Sequence, residues 1–488
     1  MDEGERMEAS ASLADAGTWH PFDGDLVGGD PLGWAGYPDA VEAARDATGV
    51  TESVLAGNAA IGGTRVELAE FDFRFLGGSM GEATGERLAR AIERAARRRV
   101  PFVLRTATGG ARMQEGMMAL VQMPKLAAAR ATLAAATQPF VVVLANPTTG
   151  GVLAGLAALA DVTIAEEGAT VGFAGPRVAE RATGQPLTGA SHTAMTALRS
   201  GLVDVVAAPG DVAAAVAKVL RILTDEALPG VLPASEPIEP VYVTPSTVDA
   251  WEAVEAARSE ERPTAPRLVA EAADTLFELR GDRAGDDDPA CRAALAHIAG
   301  RRALVLALDR RHAPGAGAYR KARRALEVAG RLHLPVLTLV DTKGADPSSV
   351  SENAGVAWAI GQLFEQMLNF EGPTISIITG EGGSGGALAF ATADVLLAQE
   401  GAVFSVIGPE LAAEILWKDS ARASEAAALL KLTAADLTNL GIIDAALPDP
   451  PTGPVVRRAF AYHLRRLETT VEDGGRAEAR RKRWRGHG

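Results

Sequence analysis

The chain has 488 residues, 47% hydrophobic and 23% charged, the length and balance of two ordinary globular domains rather than of a disordered or fibrous protein. A net charge of −14 argues against general nucleic-acid affinity, and the single cysteine, Cys291, excludes an internal disulfide framework or a multi-cysteine zinc site. No apolar run reaches the roughly 18–20 residues of a membrane helix, and the opening MDEGERMEASASLADAG is acidic where a signal peptide is basic, so the expected location is cytoplasmic with no membrane partner.

Residues 1–45 are rich in Gly, Asp and Ala with weak periodicity, and read as a flexible N-terminal segment, either a mobile lead-in or a strap over the first domain. Residues 46–227 alternate β-rich runs such as PFVLR and PFVVVLAN with the Ala-rich helical stretch GERLARAIERAARRR (85–99), which is an α/β layer pattern. The proline-rich stretch 228–266 reads as a linker with a short helix inside it. In 267–470 the order recurs: RALVLALD as strand, GAYRKARRALEVAGRLH as helix, PVLTLVD as strand, VSENAGVAWAIGQLFEQMLNF as helix, then PTISIITG as strand. Residues 471–488 form a basic tail, read as solvated. The histidines lack metal-ligand spacing, and the acidic cluster GDRAGDDDP (281–289) lacks the closing Glu of an EF-hand loop. It reads as a turn or helix cap, and no metal is expected.

One stretch in each half matches the other without a gap. TGGVLAGLAALADVTIAEEGATVGFAGP from Thr149 falls into step with GGSGGALAFATADVLLAQEGAVFSVIGP from Gly382, with Asp161 and Asp394 both followed seven residues later by a glycine. An internal repeat of two α/β domains follows, and with it a pair of similar sites. Each half places glycine pairs between a strand and a helix: Gly109 and Gly110, Gly150 and Gly151, Gly382 and Gly383, Gly385 and Gly386. The first amides of a helix lack partners and lie at the favourable end of its dipole, and glycine admits a ligand close to them. Neither a Walker ending nor a spaced GxGxxG follows. Two copies, each followed by a small residue (Ala111 and Ala387), suit two oxyanions better than a phosphate. Side-chain chemistry is sparse, since no Gly-x-Ser-x-Gly elbow appears and Ser384 has no traceable His and Asp partners.

FDFRFLGGSMGEATGERLARAIERA, GGARMQEG, NPTTGGV and VGFAGPRV in the first half, with RPTAPRLV, LRGDR, GAYRKARRAL, GEGGSGGALA, ILWK and LGIID in the second, resemble the carboxyltransferase of biotin-dependent acetyl-CoA carboxylase, with its β and α subunits fused in one chain. The resemblance spans most of residues 50–450. It implies two tandem crotonase-like (ββα-spiral) domains, β-like then α-like, that move a carboxyl group from carboxybiotin on a separate carrier protein to the α-carbon of an acyl-CoA such as acetyl-CoA. By motif, backbone amides at Gly109 and Gly110 and at Gly385 and Gly386 would hold the enolate and ureido oxyanions, with the assignment of hole to oxygen left open. Ala111, Gly150, Gly151, Gly383, Ser384, Ala387, Lys343 and the Arg177 of VGFAGPRV would line the substrates. A biotin carboxyl carrier protein, a biotin carboxylase, a CoA thioester and a second copy of the chain are the implied partners, the family's active site forming across a dimer.

The chain departs from that pattern in lacking the four-cysteine zinc ribbon, in reading DTKGADPSS where the α subunit has a DTPGAYPG-like stretch, and in reading GPEL in place of SPEG. Two alternatives stay open on the sequence: a malonyl-thioester decarboxylase of the malonate decarboxylase β/γ type, and a non-catalytic assembly subunit. Tyr319, Arg320 and Lys321 read as a solvated helix face and Cys291 as core, while Lys343 reads as an unpaired cation able to hold a carboxylate.

Overall fold

Runs such as FVVVLAN and TISIIT are β-branched and apolar on both faces, as strands covered by helices on either side must be, and in the computed structural model they become central strands of two sheets. The structure describes residues 12–187, 191–224, 239–470 and 475–486. It divides into two units, Met1–Thr224 and Asp225–Gly488.

In the first unit β1 (His20–Phe22), β2 (Val54–Ile61) and β3 (Thr64–Phe71) pair antiparallel. The sheet continues in parallel through β4 (Phe102–Thr108), β5 (Phe140–Thr149) and β6 (Val162–Glu166); β7 (Val171–Gly172) extends beside the end of β5 and β8 (Val205–Ala207) closes the edge. Helix α1 (Tyr37–Thr48) precedes β2, and α2 (Glu82–Arg98), α3 (Gln122–Ala135), α4 (Gly150–Gly155) and α5 (Pro176–Thr183) are among the connections after β3. Leu88, Ala91, Ile92 and Ala95 of α2 share one buried face, the i, i+3, i+4, i+7 stripe that the amphipathic sequence 85–99 requires. They pack in one core with Leu126, Leu133, Leu104 and Val142.

The second unit repeats the plan strand for strand. Antiparallel β9 (Thr275–Leu279), β10 (Cys291–Ile298) and β11 (Arg301–Leu308) lead into parallel β12 (Val336–Thr342), β13 (Thr374–Gly383) and β14 (Val395–Gln399), with β15 (Val403–Ser405) beside the end of β13 and β16 (Ala445–Leu447) at the edge. Its helices include α6 (Ala250–Arg258), α7 (Ala316–Arg331), α8 (Val356–Asn369), α9 (Ser384–Ala391), α10 (Pro409–Trp417), α11 (Gly453–Thr469) and α12 (Arg476–Arg485). The mirrored aspartates do mirrored work: Asp161 accepts the N–H of Phe140 and Asp394 that of Thr374, both at 2.8 Å, fixing the start of β5 and of β13.

Several expectations are corrected. Residues 12–45 are a strap and not a mobile lead-in: β1 joins the sheet, and buried Glu70 accepts the N–H groups of Ser12 and Leu13 at 3.0 Å. The stretch read as a linker belongs, from residue 239 on, to the second unit, where Arg262 pairs with Asp449 and donates to the Thr379 carbonyl; 228–238 lie outside the described residues. The helix expected over 350–370 breaks at Gly355, which is left-handed at φ 79°, a conformation glycine adopts without penalty. Tyr319 and Lys321 are buried rather than solvated. Lys321 donates to the Asp288 and Cys291 carbonyls, and Asp282 pairs with Arg320, so the acidic cluster is a structural turn clasping α7. Cys291 is core, its thiol pushed up to about 12 by burial.

The largest departure is the basic tail. Residues 476–485 fold as α12, and Arg480, fully buried, forks onto Asp394 at 2.7 and 3.0 Å. In the first unit Asp161 is met instead by Arg130 of α3 at 2.9 Å, while the corresponding helix α8 carries no arginine at all. The C-terminal helix supplies the missing cation from elsewhere in the chain. Removing one member of a buried pair leaves an uncompensated charge and costs about 3–5 kcal/mol. Arg480→Ala should therefore lower the stability measured by urea unfolding by that amount, whereas Arg481→Ala, on the exposed side of the same helix, should leave it within about 0.5 kcal/mol of the parent.

Candidate functional site

The site begins where neighbouring parallel strands end together. In the first unit Thr108 of β4 stands opposite Thr148 of β5, so both chains must turn at the same level. Gly110 has φ 114° and Gly150 φ 69°, and a Cβ on Gly150 would stand 2.8 Å from the Gly110 Cα. The two turns touch backbone to backbone, which only glycine permits here.

This contact decides which amides are free. The N–H of Gly109 donates to the Gly77 carbonyl and that of Gly110 to the Thr108 hydroxyl, both at 2.9 Å. Gly109 and Gly110, expected as oxyanion donors, are thus occupied, and that reading is corrected. Ala111 forms a parallel bridge with Met80: the Met80 N–H reaches the Gly110 carbonyl and the Arg112 N–H reaches the Met80 carbonyl, each at 2.8 Å. In a parallel bridge the central residue's own N–H points to the other side. For Ala111 and for Gly151, in the first turn of α4, no acceptor is found among the described residues. Gly150 donates to the Phe173 carbonyl.

The second unit builds the same crossing. Thr342 stands opposite Gly382, the Gly344 N–H meets the Thr342 hydroxyl at 3.3 Å, and the Asp346 N–H reaches the Pro314 carbonyl at 2.9 Å. Pro314 occupies the place of Met80 but has no N–H, so half of the bridge is missing there. By this register Thr108 corresponds to Thr342, Ala111 to Ala345, Gly150 to Ser384 and Gly151 to Gly385, a spacing of 234. The gap-free match of the sequences runs at 233; the difference is absorbed between the turns and the strands after them, since twelve residues separate Gly150 from Val162 and eleven separate Ser384 from Val395. Ser384 takes the left-handed place of Gly150 at φ 62°.

Around this turn the surroundings of the expected residues differ. A Cβ on Gly383 would stand 1.9 Å from the Lys343 carbonyl, so Gly383 is a packing glycine. A Cβ on Gly385 meets nothing within 4 Å, which leaves an open approach to the start of α9. A Cβ on Gly386 would lie 2.5 Å from the Tyr319 hydroxyl and 3.0 Å from the Ala345 nitrogen. That hydroxyl is fully buried and has no partner among the described residues. Ala387 is fully buried in α9 and faces core, not ligand. Ser384 is exposed. Ala345, the counterpart of Ala111, has no local mark in the sequence; its place three residues after Thr342 matches that of Ala111 after Thr108.

The rims carry different charges. Lys343 is exposed and corresponds to Gly109; it is not isolated, because Glu410 of α10 lies in its field. Burial opposes ionisation of Glu410, yet hydrogen bonding from Arg258 and the positive field of Arg258 and Lys343 hold its carboxyl below the usual range. Arg258 also forks onto Glu381 at 2.7 Å, a buried carboxylate just before the glycines. In the first unit the position of Glu410 is held by Arg177, exposed on α5, and that of Glu381 by Pro147. Beneath the second turn, burial pushes the Asp341 carboxyl up to about 7, with Arg310 at 3.3 Å opposing. Among the described residues no cluster of His, Cys, Asp and Glu could hold a metal ion, and no helix is long and apolar enough to cross a membrane.

The family described as acetyl co-enzyme A carboxylase carboxyltransferase-like matches residues 241–473. The chain is 42% identical to the acetyl-coenzyme A carboxylase carboxyl transferase subunits beta/alpha of Salinispora tropica, over 94% of this chain and 87% of that one. It is 37% identical to a probable biotin-dependent acyl-coenzyme A carboxylase beta3 subunit of Mycobacterium bovis, over 88% and 86%. Among solved structures, the transcarboxylase 12S core superposes with TM-score 0.77 at 22% identity over 96% of this chain and 90% of that one. A single-chain long-chain acyl-CoA carboxylase does so at 0.72 and 20% identity, over 94% and 46%. The likeness of fold thus extends over both units.

The glycines separate into two classes that thermal unfolding distinguishes. Gly383→Ala should lower the melting temperature by several degrees, since its methyl collides with a carbonyl and overpacking costs about 1–3 kcal/mol. Gly385→Ala, with open space before it, should leave the melting temperature unchanged.

Proposed function

The chain belongs to the acetyl-CoA carboxylase carboxyltransferase family, and from that premise we propose how its own residues carry out carboxyl transfer to an acyl-CoA. The observation that carries the reading is the twofold recurrence of one crossed turn, with Ala111 and Gly151 at its free amides in the first unit and Ala345 and Gly385 in the second. Transfer between a biotin ureido group and a thioester α-carbon develops negative charge on two carbonyl oxygens, and each such oxygen needs fixed donors. Two sets of main-chain donors on strand ends meet that need without reorganising. We assign the first unit to the β-like half and the second to the α-like half.

Carboxybiotin, delivered on a separate carrier protein, supplies the carboxyl group and then a ureido nitrogen able to take the α-proton. Its fit to this chain rests on the open approach at Gly385, on small residues around both turns and on the absence of competing acceptors at the free amides among the described residues. Ala111 and Gly151 hold one oxygen by their N–H groups, and Ala345 with Gly385 and Gly386 the other. Removing one well-aimed donor of this kind costs about 3 kcal/mol of transition-state stabilisation, roughly a hundredfold in rate. Lys343 and Arg177 stand at the rims as cations for anionic parts of the substrates. The carrier protein, a biotin carboxylase and a second copy of the chain complete the system. The second copy is supported by exposed apolar side chains at equivalent places, Phe173 and Val178 in one unit and Val406 and Leu411 in the other. The decarboxylase and assembly-subunit alternatives are not favoured, since the relatives are named as carboxyl transferases and acyl-CoA carboxylases.

The test uses malonyl-CoA with and without biocytin. Acetyl-CoA should form only when biocytin is present to accept the carboxyl group. Release of CO2 without biocytin would move the assignment to a decarboxylase, and silence in both would support a scaffold. Gly385→Ala, folded but with a methyl in the approach, should slow exchange about tenfold or more.

A further inference from the structure

Next to Ala111 lies a buried ionic lock that the carboxyl-transfer mechanism does not use. Arg112 is 1% exposed. Its guanidinium donates to both oxygens of Glu52, at 2.5 and 3.0 Å, to the Ser79 carbonyl at 2.7 Å, and to Glu115 and the Tyr37 hydroxyl, each at 3.3 Å. Tyr37 in turn donates to Glu115 at 2.6 Å, and the other oxygen of Glu115 accepts the N–H of Glu82 in the first turn of α2. Glu52, Glu115 and Tyr37 are each at most 2% exposed. Burial and the bond to Glu115 push the Tyr37 hydroxyl up to about 12, so it stays a neutral donor. One guanidinium thus ties together the strap at α1, the entry to β2, the turn before α2 and the turn after β4.

A buried guanidinium with this many fixed acceptors has one orientation, because any other leaves carboxylates unpaired in a low dielectric. Arg112 follows Ala111 directly, and its backbone N–H is one of the two bonds of the bridge to Met80. The orientation of the Ala111 peptide is therefore held at one end by Gly110 and at the other by the lock. Among the described residues the second unit shows no counterpart: the residue corresponding to Arg112 is Asp346, whose carboxylate bonds the N–H and hydroxyl of Ser348. We propose that Arg112 is a positioning residue, held by Glu52, Glu115 and the strap residue Tyr37, that aims the Ala111 N–H into the first pocket. The strap is then part of the catalytic scaffold rather than a cover. This rests on the reading of Ala111 as an oxyanion donor.

The test is Tyr37→Phe, with Glu52→Gln as a second variant, in the full chain. Each is read by steady-state transfer to biocytin and by hydrogen exchange of the segment 105–113, at a temperature where circular dichroism shows both to be folded. An aimed donor acts on the transition state, so kcat should fall about tenfold with KM for malonyl-CoA within twofold, and exchange in 105–113 should quicken while that in 339–347 does not. An unchanged kcat in a folded Tyr37→Phe variant overturns the proposal, as does a lowered melting temperature with unaltered exchange at 105–113. If the parent itself transfers nothing, the functional reading fails and exchange alone judges the lock. Unchanged protection in both variants then overturns the lock too.

Discussion

The structure depends on a steric constraint at the ends of two parallel strands. Thr108 and Thr148, like Thr342 and Gly382, are paired at the last level of their strands, so the turns beyond them must pass at main-chain contact distance. In the first unit side chains are excluded from that crossing, while in the second Ser384 stands at the place of Gly150; in both, some amides bond a neighbouring turn and others meet no acceptor among the described residues. The amides left without an acceptor among the described residues are a by-product of packing these turns against each other. The carboxyl-transfer reading proposed above rests on this geometry and asks for no reactive side chain.

Duplication has kept the crossing and changed what surrounds it. Arg112 with its buried carboxylates stiffens the first turn, while Asp346 caps a local loop in the second. Tyr319, under Gly386, stands where the first unit has Gly85, and Glu410 stands where it has Arg177. The two crossings thus share a backbone plan and differ in walls, stiffness and rim charge, as the proposed reaction with two unlike carbonyl partners asks. The paired aspartates show the same history: Asp161 and Asp394 do one job, but their arginines come from different elements, α3 in one unit and α12 in the other. A basic C-terminal segment that reads as solvent-loving is thereby bound into the core of the fold.

Much of this was legible in the residues. The repeat, the strand, glycine turn and helix order, the scarcity of catalytic side chains and the family motifs all stand in the sequence, because period, turn chemistry and spacing are local properties of the chain. The glycine turns at the strand ends were legible; which of their amides are already bonded was not. Gly109 and Gly110 looked free because both precede a helix, but Gly77, more than thirty residues upstream, and the Thr108 hydroxyl take their hydrogens. Ala345 has no local mark. The gap-free match at 233 hides a register of 234 at the turns, since a residue lost within α9 and the loop after it leaves the strand pattern intact.

What the sequence determined by itself is thus the frame, a duplicated α/β pattern with glycine turns at matching strand ends, since glycine's freedom and the apolar strand pattern act within a few residues. Only the tertiary structure decided which amides are open, which arginine meets which aspartate and where the strap is anchored. A hydrogen bond is made or left unmade by whatever group the fold brings to it, and here many of those groups come from distant parts of the chain.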